Sequence, residues 1–488
     1  MPRGHAITLG QPRSSLEARG RRAARNIRTY QTKSRYSLLK PLRRVPSCTI
    51  RHVTSEPTTQ PTSTSSPDSP DWLARVNKDR LLADLDTLLT IPSLGGTPAE
   101  VNAQHLLADR WSEEGLDVVS WEIDVARITE AADFPGMEVD RDQALGVIAR
   151  LPGTGGGRTL LIDGHTDVVP PGDLAAWSGD PFIPRILDRE GRPSVVARGA
   201  CDMKAGLVAA WEALRIVREA GVQLRGDVIL CPVSGEEDGG LGTFAALEQL
   251  ESSRIDGCVV PEPTDLDLVP ANGGALTFRL RVPGAAIHAS RRSEGVSSIE
   301  KFVPILNALM QLEETRNAQV DPLMHRWPIA YPLSIGTVHA GDWASTVPDL
   351  LIAEGRLGVA LGESAENARE QLESAVAAAC AGDPWLRDHP ATVEWWGGQF
   401  HSGRTDPDAP IIRTVREAHL RATNSSPETY GGPYGSDLRL LVGKGGIPTV
   451  QYGPGDSRVA HAPDEYVAID DVVTCAAVLA DVIVEFCS

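Results

Sequence analysis

"LLIDGHTDVVPP", residues 160–171, is the stretch on which the reading of the fold turns. Apolar residues from Leu160 to Ile162 lead into Asp163, Gly164, His165, Thr166 and Asp167, and Pro170 and Pro171 close the run. A short apolar run bounded by turn residues reads as a buried strand. His165 and Asp167 are two residues apart, so on an extended chain their side chains point to the same side. A buried strand that delivers such residues to its carboxyl end suits a parallel sheet, where ligands gather outside those ends.

The same form recurs on both sides. "ALGVIARLPG" (144–153), "GDVILCPVSGEE" (226–237) and "GCVVPEPT" (257–264) read as strands, and a long helix is expected from Met203 to about Ala220. "LLADLDTLLTIPS" and "AQHLLADRWSEEGL" precede them as helices. Strands alternating with helices imply an α/β fold, a mostly parallel sheet covered by helices. "GTGGGR", near Gly153, lacks the Lys and Ser or Thr of a phosphate loop and reads as a hairpin turn. A second, smaller α+β unit starts near Leu276 with "LTFRLRVPG" and runs through "SSIEKFVPILNALMQLEE" and "ENAREQLESAVAAAC" to "ATVEWW". Its strand, helix, strand, strand, helix, strand order is ferredoxin-like. "IPTVQYGPG" and an amphipathic helix from Ile469 return to the first sheet. The expected organisation is a head and linker at 1–70, a first unit at 71–275, an insertion at 276–398, and the remainder of the first unit at 399–488.

At 488 residues the chain exceeds a single ordinary core. With 41% hydrophobic and 23% charged residues, and no apolar run near the roughly 18 residues of a membrane span, a soluble protein without a membrane partner is expected. The first 51 residues hold thirteen Arg or Lys against Glu17 alone, which leaves the rest of the chain at about −30 of the total −18. Such an acidic body argues against nucleic acid as a partner. The basic head, followed by "TSEPTTQPTSTSSPDSP", reads as disordered. It fits an organellar transit peptide, upstream sequence translated from a wrongly chosen start, or a basic tail. Seven scattered cysteines, never paired as C-x-x-C, suit a reducing compartment. The expected location is cytoplasmic, or mitochondrial if the head is a transit peptide.

Predicted strand ends carry His165 and Asp167, the Glu236 and Glu237 of "SGEEDGG", and the Glu262 of "PEPT". Asp202 of "GACDMKAG" is expected at a fourth strand end, and His461 of "GPGDSRVAHAPDE" lies beyond the last strand. Each alone has a bland reading, and Asp202 would serve equally as a helix cap. Together, several carboxylates in one cleft repel unless a cation neutralises them. Imidazole and carboxylate without thiolate suit zinc, with cobalt or manganese as alternatives. Five ligand candidates exceed the needs of one catalytic zinc, whereas two metals sharing a bridging carboxylate use three each. No Ser or Cys hydrolase constellation is present.

From about Asp71 onward the chain resembles the co-catalytic dizinc metallopeptidase and deacylase family of acetylornithine deacetylase, succinyl-diaminopimelate desuccinylase, aminoacylase and glutamate carboxypeptidase. The matches are "GHTDVVP", "WSGDPF", "ARGACDMKAG", "SGEEDGG", "EPT", "HAS" and the closing "GPG" with "AHAPDE". The resemblance implies a zinc-peptidase-like catalytic domain with an inserted lid and dimerisation domain. It implies two Zn2+ per chain, one on His165, Asp202 and Glu262, the other on Asp202, Glu237 and His461. Asp167 would orient His165 through its other ring nitrogen, and Glu236 would be the general base. His288, on the lid, would reach into the partner subunit's site to stabilise the oxyanion. The lid has Ser345 where the family usually has Asn. Arg356, the substrate-binding candidate, follows Pro348 by eight residues instead of about ten, a shift that keeps strand parity.

The resulting reading is a homodimeric, two-zinc amidohydrolase in which metal-activated hydroxide removes the acyl group from a small N-acyl amino acid. The alternatives are a dipeptidase or carboxypeptidase of the same family and, from another class, a non-catalytic metal-binding regulatory protein.

Overall fold

The computed structural model describes residues 71–488, so the expected head and linker at 1–70 lie outside the described residues. In chain order the strands are β1 (Asp117–Glu122), β2 (Leu145–Leu151), β3 (Leu160–His165), β4 (Arg185–Arg189), β5 (Arg192–Val196), β6 (Val228–Val233), β7 (Gly257–Val260) and β8 (Leu268–Asn272). Then come β9 (Gly274–Pro283), β10 (Leu333–Ala340), β11 (Leu350–Val359), β12 (Thr392–Phe400), β13 (Gly403–Arg404), β14 (Thr429–Gly432), β15 (Thr449–Gln451) and β16 (Tyr466–Ala468).

The central sheet has nine strands in the order β1, β2, β6, β3, β7, β15, β8, β13, with β14 also on β8. Its middle, β6, β3, β7 and β15, is parallel, and antiparallel pairs flank it. β3 is buried at all six positions, as a strand covered on both faces requires. Its alternation sorts the core: Leu160 and Ile162 pack with the helices Ala205–Glu219 and Ile469–Cys487. Leu161 packs on the other face with Leu241 and Phe244 of the helix Leu241–Gln249.

The segment near Gly153 is not a hairpin turn. β2 and β3 lie on opposite sides of β6, so their connection crosses the start of that strand. A Cβ on Gly153 would fall 2.3 Å from the Gly226 carbonyl oxygen, and one on Gly157 would fall 2.4 Å from the Gly226 nitrogen. These glycines make room for a backbone crossing, which a reading of neighbours in sequence does not reveal.

β9 to β12 form a separate antiparallel sheet in the order β10, β11, β9, β12. With the helices Ser298–Arg316 and Ala365–Gly382 this is the ferredoxin-like order. Leu276, Phe278, Leu280 and Val282 of β9 pack with Leu351, Ala353 and Leu357 of β11 and with Phe302, Ile305 and Leu372 of the helices. Opposite parity turns Thr277 and Arg356, a directly paired couple, away from those helices. β8 and β13 pair at Asn272 and Gly403, so the inserted region leaves and rejoins the central sheet side by side.

Candidate metal and substrate site

The parallel strands end where the expected ligands begin. His165 closes β3, Glu236 and Glu237 follow β6, Glu262 follows β7, and Asp202 lies in the irregular turn Ala200–Lys204 before the helix Ala205–Glu219. His165 Nε2 is 3.0 Å from Asp202 Oδ1, and His461 Nε2 is 3.3 Å from Asp202 Oδ2 and 3.1 Å from Glu237 Oε2. Asp202 therefore faces one histidine with each oxygen. His165, Asp202 and Glu237 each offer a ligand atom within 4.8 Å of the others. Glu236 and Glu262 line the same cavity of about 350 Å³ as Asp202, Glu237 and His461.

The electrostatics fit a cation site. Burial alone would lower both imidazoles, yet the Asp202 hydrogen bond and the charges of Glu262 and Asp167 hold His165 well above its ordinary value. His461 is raised to about 11, against the effect of burial, by hydrogen bonds to Asp202 and Glu237. Burial raises Glu237 and Glu262, and the charge of Asp202 adds to both. Burial and the charge of Asp437 raise Glu236. Two imidazoles among several buried carboxylates make a nitrogen and oxygen donor set whose mutual repulsion bound metal ions would neutralise.

Asp167 departs from the expectation in the atom it uses. His165 Nδ1 donates to the backbone carbonyl of Asp167 at 2.9 Å, while the Asp167 carboxylate stands 3.8 Å away. That carboxylate instead accepts the backbone N–H groups of Glu236 and Glu237 at 3.3 and 3.2 Å. The backbone fixes the histidine tautomer, and the side chain pins the segment that carries the two glutamates.

Several residues without a role in the sequence reading complete the floor. Glu465 accepts the backbone N–H groups of Cys201 at 2.9 Å and Asp202 at 3.1 Å. It is ion-paired with Arg198, which also donates to the His461 carbonyl at 3.1 Å. Both lie inside quoted motifs, "ARGACDMKAG" and "AHAPDE", but their pairing across 267 positions leaves no local mark. Behind Glu236, Thr243 Oγ1 lies 2.5 Å from Asp437 and 3.2 Å from Asp163, two acids whose buried setting raises both. Arg439 sits 3.9 Å over the Phe400 ring. The charged Asp437 and Arg439 bracketing Leu438 in a glycine-rich stretch were the available signal.

Phe400, Tyr434 and Pro332 wall the cavity, and Arg356 reaches its rim from β11. His288 does not line this cavity; it lies exposed on the lid, where its Nδ1 accepts the Ser290 N–H at 3.2 Å.

Comparison with known proteins agrees with this architecture. A deformylase of N-formyl-4-amino-5-aminomethyl-2-methylpyrimidine from Bacillus subtilis is 26% identical, covering 79% of this chain and 89% of its own. A succinyl-diaminopimelate desuccinylase from Methylibium petroleiphilum is 30% identical, covering 77% and 90%. In fold the chain is similar to the Bacillus subtilis YXEP protein, described as a dinuclear metal-binding peptidase, with a TM-score of 0.54, 17% identity and coverage of 84% and 98%. The model of peptidase family M20/M25/M40 matches residues 161–485, and the chain belongs to that family, as a hydrolase of amide bonds.

Proposed function

We propose that the protein removes the acyl group from a small N-acyl amino acid at a site that holds two zinc ions. The observation that carries this reading is Asp202, each of whose oxygens meets a different histidine, in a cavity also lined by the buried Glu236. His165, Asp202 and Glu262 hold one ion, and Asp202, Glu237 and His461 hold the other. When bound, the ions polarise the amide carbonyl and acidify water. Glu236 takes a proton from the attacking water and returns it to the departing amine nitrogen. Arg356 receives the substrate carboxylate at the rim. Relatives named for removing formyl and succinyl groups support deacylation.

The chain acts as a homodimer through its lid. Ile299, Val303 and Met310 form one exposed apolar stripe on the helix Ser298–Arg316, beside the edge strand β10. That arrangement supports isologous pairing, with His288 of the partner subunit steadying the developing oxyanion. Six described cysteines are free and buried, which supports a reducing, cytoplasmic setting. No described helix is long and apolar enough to cross a membrane.

The test is a panel of acetyl-, succinyl- and formyl-amino acids and dipeptides offered to zinc-reconstituted protein. Cleavage of at least one acyl-amino acid faster than any dipeptide is expected, with loss on chelation. Full activity after exhaustive chelation, or a preference for dipeptides, would overturn the reading.

A further inference from the structure

At the cavity rim Arg356 already holds a carboxylate of the chain itself. Its Nη2 donates to Glu138 Oε1 at 2.9 Å. The same oxygen accepts Thr277 Oγ1 at 2.7 Å and the Gly398 N–H at 3.4 Å. Thr277 and Arg356 are cross-strand partners on β9 and β11, and Gly398 belongs to β12. One carboxylate from the loop before β2 is therefore seated across three lid strands.

That carboxylate is built into place. The backbone N–H groups of Glu138 and Val139 donate to Asp238 Oδ2 at 3.2 and 2.9 Å. Arg141 holds Asp238 with two hydrogen bonds of 2.8 and 2.7 Å. Beneath the loop, a Cβ on Gly136 would fall 2.0 Å from the Gly397 carbonyl oxygen, and one on Gly239 would fall 2.0 Å from the Gly136 carbonyl oxygen. Three backbones thus pack without side chains between them, and the loop cannot drift from Arg356 without unpacking them.

We infer that Glu138 is a specificity-determining residue that competes with a substrate carboxylate for Arg356. Among the described residues lining the cavity, Arg356 is the one permanent cation. A substrate carboxylate gains its partner only by displacing Glu138, whereas a neutral amide of the same shape meets no such competitor. Apparent affinity for the acid falls by the fraction of time Arg356 is taken. The inference rests on the deacylase reading insofar as it takes this cavity as the substrate's seat.

The experiment compares N-acetyl-phenylalanine with N-acetyl-phenethylamine, which differ only in the carboxylate. Glu138→Gln keeps the size of the side chain and an oxygen for Thr277. It should raise the acid-to-amide ratio of kcat/KM about fivefold, the scale of an ion pair this exposed, and should leave that ratio unmoved in an Arg356→Met background. The same two ligands are also titrated by calorimetry into Glu236→Gln protein with and without the Glu138 change, where the Kd ratio should shift equally. If no acyl substrate is cleaved, the deacylase reading fails, and the Kd ratio still decides the role of Glu138. Should Glu138→Gln not fold, Glu138→Asp withdraws the carboxylate by one methylene and should move the ratio the same way by less. A ratio unchanged in the variant that folds, or changed equally in the Arg356→Met background, overturns the inference.

Discussion

Two arginine–glutamate pairs flank the site, and they differ in burial. Arg198 and Glu465 are 1% and 0% exposed; Arg356 and Glu138 are 45% and 25% exposed. The buried pair ties the backbone of Asp202 to that of His461, and breaking it strands a charge away from water. The exposed pair joins a loop to the lid where water competes for both partners, so its members can exchange. The same chemistry thus sets geometry on the floor and choice at the rim.

The largest effect should come from the floor. Glu465→Ala should cost about 3–5 kcal/mol of stability, the scale for orphaning a buried partner, and should lower bound zinc; denaturant unfolding and elemental analysis read both. A loss no larger than that of Arg356→Met would erase the distinction between the pairs. Next, Glu236→Gln should reduce kcat at least roughly a hundredfold, as loss of a general base does, with metal content nearly unchanged. Metal lost together with activity would instead place Glu236 among the ligands.

At the rim, Arg356→Met should raise KM for an acyl-amino acid by about fivefold with kcat little altered, as expected for one exposed ion pair. A fall in kcat without a change in KM would move Arg356 from binding to chemistry. The smallest effect concerns pH in metal-free protein. His461 is raised from 6.5 to about 11, so its contribution to stability is fully present below about 6.5 and is lost as pH rises toward 11. Because its side chain is half exposed, the slope should be shallow. His461→Gln should flatten melting temperature against pH between those values; an unchanged slope would show that another group carries it.

Sequence legibility followed the range of the contacts. β3 was readable because its buried run and its terminal histidine are contiguous, and Asp202, Glu237, Glu262 and His461 were readable as acids or imidazole next to strand or helix signals. The lid's strand and helix order was equally local. Glu138 offered no such cue, because its partners Thr277 and Arg356 lie 139 and 218 positions away. The crossing at Gly153 was misread for the same reason: a glycine cluster signals freedom of backbone, and only the sheet order shows that it is spent on passing β6. Asp167 was found as a residue, but which of its atoms meets His165 depends on how the chain bends after β3.

The pairing of Asn272 with Gly403 bears on connectivity. To the central sheet, residues 273–402 are the loop of a hairpin, because the chain leaves and returns at adjacent points. Closing a loop costs entropy that grows only slowly with its length, about 0.6 kcal/mol per doubling, so the sheet is nearly indifferent to how large a tenant it carries there. A two-residue turn in place of 273–402 would keep the register set by that pair, and every proposed metal ligand lies outside the excised stretch. The lid is in this sense a cassette: it joins the central sheet at one pair of neighbouring positions and can be exchanged there, while the sheet that carries the proposed ligands is left intact.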